Sequence, residues 1–166
     1  FAVYPKPGRP IARGGRGEKM TEYTFRVPGT PIAKKRPRFV RKGNYVGTYN
    51  AQETEEGRFI LSIMDQIRTK GYAEALPLPS GTPIRLECWF WMPVPKSWSK
   101  KATRAVMEDM AMVPHVKTPD CDNLLKFVKD CLNGQAWRDD CQVVYEAAGK
   151  FYGKYPETYI IVRVWE

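Results

Sequence analysis

The chain has 166 residues, 43% apolar and 13% aromatic, which suffices for one domain with a real core and is short for two. No apolar run is long enough to span a bilayer, and the start lacks the continuous apolar segment of a secretory signal, so a soluble cytoplasmic protein with no membrane partner is expected. The formal net charge of +9 is unevenly placed: residues 1–50 hold 12 Lys and Arg against 2 Asp and Glu, a balance of +10, and the remainder holds 15 against 16, a balance of −1. That asymmetry points towards a polyanionic partner, most often nucleic acid, with solubility alone as the plain alternative. Cys88, Cys121, Cys131 and Cys141 are irregularly spaced and His115 is the one histidine, so a four-ligand zinc site is not on offer. Four reduced thiols packed as small apolar residues are expected instead.

Residues 1–19, FAVYPKPGRPIARGGRGEK, have the Gly, Pro and Arg composition of a flexible basic arm. Met20 stands directly before the first strand-like pattern, as a natural start with residues 1–19 as an extension would have it. EYTFRVPG then alternates Tyr23, Phe25 and Val27 with polar neighbours and breaks at Pro28-Gly29. PIAKKRPRFVRKGNYVGTYN follows, basic around Pro37 and predicting a hairpin turn at Gly43-Asn44. Over 51–70, Phe59, Ile60, Ile63, Met64 and Ile67 recur at helical spacing. Residues 82–95 alternate Ile84, Leu86, Cys88 and Phe90, a strand closed by two prolines, and 97–112 reads as a helix capped by Ser97 or Ser99. Leu124, Leu125, Val128, Cys131 and Leu132 form the stripe of a further helix stopped at Asn133-Gly134. CQVVYEAAGKFYG and ETYIIVRVWE close the chain as two strands, expected to be antiparallel neighbours. Loose alternation of strands and helices, with consecutive strands at both ends, predicts a single α+β domain over 20–166.

The clearest helix is bracketed by acids: Asp120 and Asp122 immediately before it or at its first turn, with Asp122 as N-cap or first-turn residue and Lys126 one turn later, and Asp139 and Asp140 after it. In an extended segment Asp120 and Asp122 project to one side. Aspartates also favour helix N-termini for capping alone, and Asp139-Asp140 alone reads as a polar turn. A helix of about three turns returning through a short loop is expected to bring the two pairs into one compact unit. Converging carboxylates repel unless a cation neutralises them, and oxygen ligands without His or Cys suit Mg²⁺ or Mn²⁺.

The pattern formed by Asp120, Asp122, Asn123, Leu124, Lys126, Asp130, Leu132, Asn133, Gly134, Trp137, Asp139, Asp140, Gln142 and Val143 closely resembles the RusA family of Holliday junction resolvases. The K-K-R-P-R run from Lys34 to Arg38 is similar to that family's amino-terminal basic motif, and the resemblance extends from about Tyr23 to the last strand. It implies a mixed β-sheet packed by helices and a homodimeric, Mg²⁺-dependent endonuclease, bacterial or phage-encoded, that nicks four-way DNA junctions in symmetric pairs. By motif position it implies Asp120, Asp122 and Asp140 as metal-binding carboxylates, Lys126 as an essential lysine, and Asp139 as an accessory acid.

The residue types suit that chemistry. Carboxylates fix divalent ions, Mg²⁺ or Mn²⁺ in its place, and a compact ammonium at Lys126 suits charge developing on a phosphate. The plain reading of Lys126 is a helix-face salt bridge to Asp122 or Asp130. Lys34, Lys35, Arg36, Arg38, Arg41 and Lys42 suit backbone phosphates, and Tyr45 and Tyr49 either stack on exposed bases or pack in the core. Trp89, Trp91 and Trp98 belong to a core or an interface, and His115 is structural or exposed. Two other readings remain: a non-catalytic module for structured nucleic acid, whose acids only cap and turn, and a phosphohydrolase for small nucleotides, against which the extended basic surface argues.

Overall fold

The computed structural model describes residues 21–36, 38–43, 45–107 and 112–165. The arm expected at 1–19 lies outside them, as do Asn44 of the hairpin turn and the last residues of the 97–112 helix; of the side chains of Arg38, Lys42 and Tyr45 nothing is described. In chain order the elements are β1 (Glu22–Pro28), β2 (Arg38–Lys42), β3 (Tyr45–Tyr49), α1 (Glu53–Thr69), β4 (Ile84–Pro93), α2 (Lys100–Met107), β5 (Val113–Pro114), α3 (Cys121–Leu132), β6 (Val143–Gly153) and β7 (Glu157–Val164). A 3₁₀ turn, Asp140–Gln142, leads into β6.

Five strands form one mixed sheet in the order β1-β7-β4-β6-β5, while β2 and β3 make a separate antiparallel hairpin. The two closing strands are therefore not neighbours, as their adjacency in sequence suggested: β4 lies between them, parallel to β6 and antiparallel to β7. The reason is burial. β7 carries Ile160, Ile161 and Val162 buried in succession, which suits a strand covered on both sides, whereas β6 begins with exposed Val144, Tyr145 and Glu146 and lies towards the sheet's edge. The parallel β4/β6 pair needs a long crossover, and α2, β5 and α3 supply it.

One sheet face makes the core. Tyr23, Phe25, Ile84, Leu86, Cys88, Phe90, Met92, Ile160 and Val162 meet Phe59 and Ile63 of α1, Val106 of α2 and the apolar face of α3. Ser99 accepts a hydrogen bond from the Ala102 N–H at 3.2 Å and so caps α2, one of the two serines predicted for that role. Met64 fits the stripe of α1 by spacing, yet it is half exposed. On the other sheet face Arg163 joins Glu22 and Glu87, and Trp89 and Trp91 pack on Phe151. Trp98 packs edge-on against Tyr152, and His115 is buried beside the same ring.

The four cysteines are free thiols, but only Cys88 and Cys131 are fully buried, and Cys141 is exposed. Burial pushes the Cys131 thiol up to about 12, which keeps it protonated and unreactive at neutral pH. Among the described residues no helix is long and apolar enough to cross a membrane.

Candidate functional site

The apolar spacing of α3 sets its polar face. Leu124, Leu125, Phe127, Val128, Cys131 and Leu132 are buried, which leaves Asp122 and Lys126, one turn apart, on the exposed side. Asp120 is the N-cap in extended conformation and Asp122 lies in the first helical turn, one of the two places expected for it. The Asp120 side chain makes no capping hydrogen bond; its carboxylate is left over from the role aspartates usually play there. Lys126 forms no ion pair among the described residues, because Asp130, the acid one turn beyond it, is taken by Lys34 at 2.6 Å.

The segment leading into Asp120 is held from the sheet. The Lys150 ammonium, on β6, donates to the carbonyls of Lys117 and Pro119 at 2.5 Å each, and the Lys150 carbonyl accepts from the His115 N–H at 3.0 Å. One strand residue thus anchors both ends of the approach to the acidic helix start. Nothing in the local pattern marks Lys150 for this role.

The second acidic pair divides its duties. Asp139 caps the 3₁₀ turn by accepting from the Cys141 N–H at 2.8 Å, a bond that holds its carboxyl below the usual range. Asp140 instead receives the indole N–H of fully buried Trp137 on Oδ1 at 2.9 Å, so the core itself orients this carboxylate. Gln142, also buried, accepts from the N–H groups of Arg138 and Asp139 and donates to the carbonyls of Pro79 and Thr82, tying the turn to the β4 approach.

The two acidic pairs lie at opposite ends of α3. Lys150 reaches Pro119 at the helix start, and Lys129 near its end pairs with Glu146 at 2.9 Å, so α3 runs antiparallel to β6. Twelve helical residues span about 18 Å. The loop after Leu132 cannot undo that distance: the Gly134 N–H bonds the Trp137 carbonyl at 2.8 Å, so the chain turns back at the helix end and enters β6 there. The convergence of four carboxylates expected within one chain is therefore not found, and no three His, Cys, Asp or Glu side chains among the described residues are grouped to hold a metal ion.

The basic segment lies against the other side of α3. The Lys34 N–H donates to the Asn123 carbonyl at 2.9 Å, in the first turn of the helix. Its ammonium contacts Glu56 of α1 at 2.8 Å as well as Asp130. Burial works to lower its pKa, but the hydrogen bonds to Asp130 and Glu56 outweigh burial and leave it above the ordinary lysine value. Buried Gln52 accepts from the Lys35 N–H at 2.6 Å and donates to the Ala33 carbonyl at 2.9 Å. Lys35 and Arg36 are exposed beyond this clamp, as are Arg41 and Tyr49 on the hairpin. Neither Lys34's carboxylate partners nor the role of Gln52 can be read from local pattern, because both join segments far apart in sequence.

The family model Endodeoxyribonuclease RusA matches residues 28–163. YqaN, an uncharacterized protein of Bacillus subtilis (strain 168), is 28% identical over 140 residues, which is 84% of this chain and 94% of that protein.

Proposed function

The chain belongs to the RusA endodeoxyribonuclease family, and from that premise we propose that it cuts four-way DNA junctions by paired nicks as a divalent-metal-dependent homodimer. The observation that carries the reading is the meeting of opposite charges at one helix end. Asp120, Asp122 and Lys126 share the start of α3, and the basic segment is bonded to that same turn through Asn123. A phosphodiester needs cations along its backbone and hard oxygen donors for the ion that activates it.

The donor set fits Mg²⁺, with Mn²⁺ able to substitute: the acids are carboxylates without imidazole partners, and Asp120 and Asp122 are in no ion pair among the described residues. When bound, such an ion supplies Lewis acidity at the scissile phosphate and makes water a stronger nucleophile. Asp120 and Asp122 would hold it from one end of α3, and Trp137 keeps Asp140 oriented at the other. Because α3 separates them, a second copy is the simplest source of a third carboxylate. A two-fold axis exchanges the ends of equivalent helices and can set Asp140 of the partner subunit beside Asp120 and Asp122.

The chain's own groups do the remaining work. The Lys126 ammonium, one turn from Asp122 and in no ion pair among the described residues, neutralises charge growing on the phosphate oxygens. Lys35, Arg36 and Arg41, with Arg38 and Lys42 of the same stretch, hold flanking phosphates and so fix the strand's register without reading bases. Asp139, engaged as a cap, supports the turn that presents Asp140.

The deciding experiment compares a mobile four-way junction with linear duplex, with and without Mg²⁺. Symmetric paired nicks in the junction alone, abolished by EDTA, are expected. Equal cutting of linear duplex would remove the junction selectivity, and undiminished cutting in EDTA would remove the metal.

A further inference from the structure

Within the basic run, one residue is built differently from the others. The Lys34 side chain is about a quarter exposed, and its ammonium sits between Glu56 of α1 at 2.8 Å and Asp130 of α3 at 2.6 Å. Glu56 is itself fixed, its second oxygen taking the Asn50 amide at 2.6 Å. The main chain around Lys34 is equally committed: the Ala33 carbonyl and Lys35 N–H go to Gln52, and the Lys34 N–H goes to Asn123. Gln52 is 1% exposed, so the side chain that holds the main chain on both sides of Lys34 is buried. By contrast the Lys35 side chain is 60% exposed and lies 3.6 Å from Glu55, a loose pairing that a phosphate can replace.

We propose that Lys34 is a positioning residue: it locks the phosphate-holding segment onto the acidic helix, so that a strand held by Lys35 and Arg36 is placed relative to Asp122 and Lys126. The inference rests on the nuclease reading. It departs from a uniform basic stretch by assigning the first lysine to the protein rather than to DNA. An ammonium has three protons to donate, and two of its partners here are carboxylates on different helices. Turning it towards a phosphate would leave part-buried Glu56 without its cation and take the ion pair from Asp130. Left in place, it joins α1, α3 and the basic segment at one atom.

The test separates binding from placement. Lys34→Met keeps the alkyl stem and removes the charge. The salt dependence of junction binding should keep its log–log slope, while single-turnover cleavage at saturating protein falls by about 10-fold or more, as small misplacements of a substrate do. Lys35→Ala or Arg36→Ala should instead lower that slope by about 0.9 each. Lys34→Arg, which can still reach two carboxylates, should recover part of the rate. The second variant removes the partners, Glu56→Gln with Asp130→Asn. The proposal expects slower cleavage at unchanged slope, whereas a phosphate-contacting Lys34 released from its carboxylates would steepen the slope. Amide exchange at residues 33–36, faster in Lys34→Met, reports the lock without any cleavage. A slope reduced by about 0.9 in Lys34→Met with the saturated rate intact would overturn the proposal. So would unchanged exchange and rate. If the wild-type protein cuts no branched DNA, the nuclease reading fails on its own, and the exchange experiment still decides whether Lys34 locks the segment.

Discussion

At the scale of single residues, Lys126 gives the sharpest test. It is exposed on a helix face whose nearby acid, Asp130, belongs to another lysine. Alanine is the better helix former, so Lys126→Ala should change stability by less than about 1 kcal/mol. Single-turnover nicking should nevertheless drop severely with junction affinity unchanged, and Lys126→Arg should rescue poorly because a guanidinium fork does not replace a point charge. Near-normal nicking by Lys126→Ala would end its catalytic assignment. His115 makes a second, independent prediction. Burial, with the Lys150 ammonium adding to it, holds the imidazole below its ordinary value of 6.5. The unfolded chain then binds the proton more readily, so stability is full above about pH 6.5 and declines as pH falls through the folded-state value. Thermal melts from pH 7.5 to 5 should show this decline in the wild type and a flatter profile in His115→Gln.

At the scale of elements, the approach to α3 depends on a strand it does not belong to. Lys150→Met removes the donor to the Lys117 and Pro119 carbonyls, loosening the turn that presents Asp120. Outer-sphere changes of this kind cost about 10-fold in metal affinity. The half-saturating Mg²⁺ concentration for cleavage should rise accordingly, with junction binding in EDTA unaltered; an unchanged Mg²⁺ requirement would leave Lys150 a merely structural anchor. The sheet offers a control of a different sort. A Cβ at Gly153 would stand 2.9 Å from Trp91 Cβ, an atom close to the backbone that cannot swing away. Gly153→Ala should cost about 1–3 kcal/mol in urea unfolding. Gly57 in α1 meets nothing within 4 Å, so Gly57→Ala should stabilise by about 0.5–1 kcal/mol.

At the scale of the whole molecule, the separation of the acidic pairs makes the assembly itself testable. Asp122→Asn and Asp140→Asn should each abolish Mg²⁺-dependent cleavage while leaving binding largely intact, since the proposed phosphate contacts lie in the basic segment. Mixed and allowed to exchange subunits, the two inactive variants should recover nicking. One of the two sites in a mixed dimer then draws Asp122 and Asp140 from the chains that still carry them. Continued inactivity of the mixture, with subunit exchange verified, would mean that each site is built within one chain.

What the sequence by itself determined is what lies within a few residues. The stripe of α3, the alternation of β1, the Ser99 cap and the Asp120, Asp122 and Lys126 cluster all follow from short-range spacing, because helix and strand geometry is periodic and local. The same motif residues carried the family resemblance that the match over residues 28–163 bears out. Tertiary structure alone decided which strands adjoin, inserting β4 between β6 and β7, because burial on two faces ranks strands by hydrophobicity rather than by order in the chain. It also placed Asp140 a helix length from Asp120 and gave Lys34 its two carboxylates. A loop's direction of return and an ion pair between distant segments depend on how elements pack, and no local spacing encodes that.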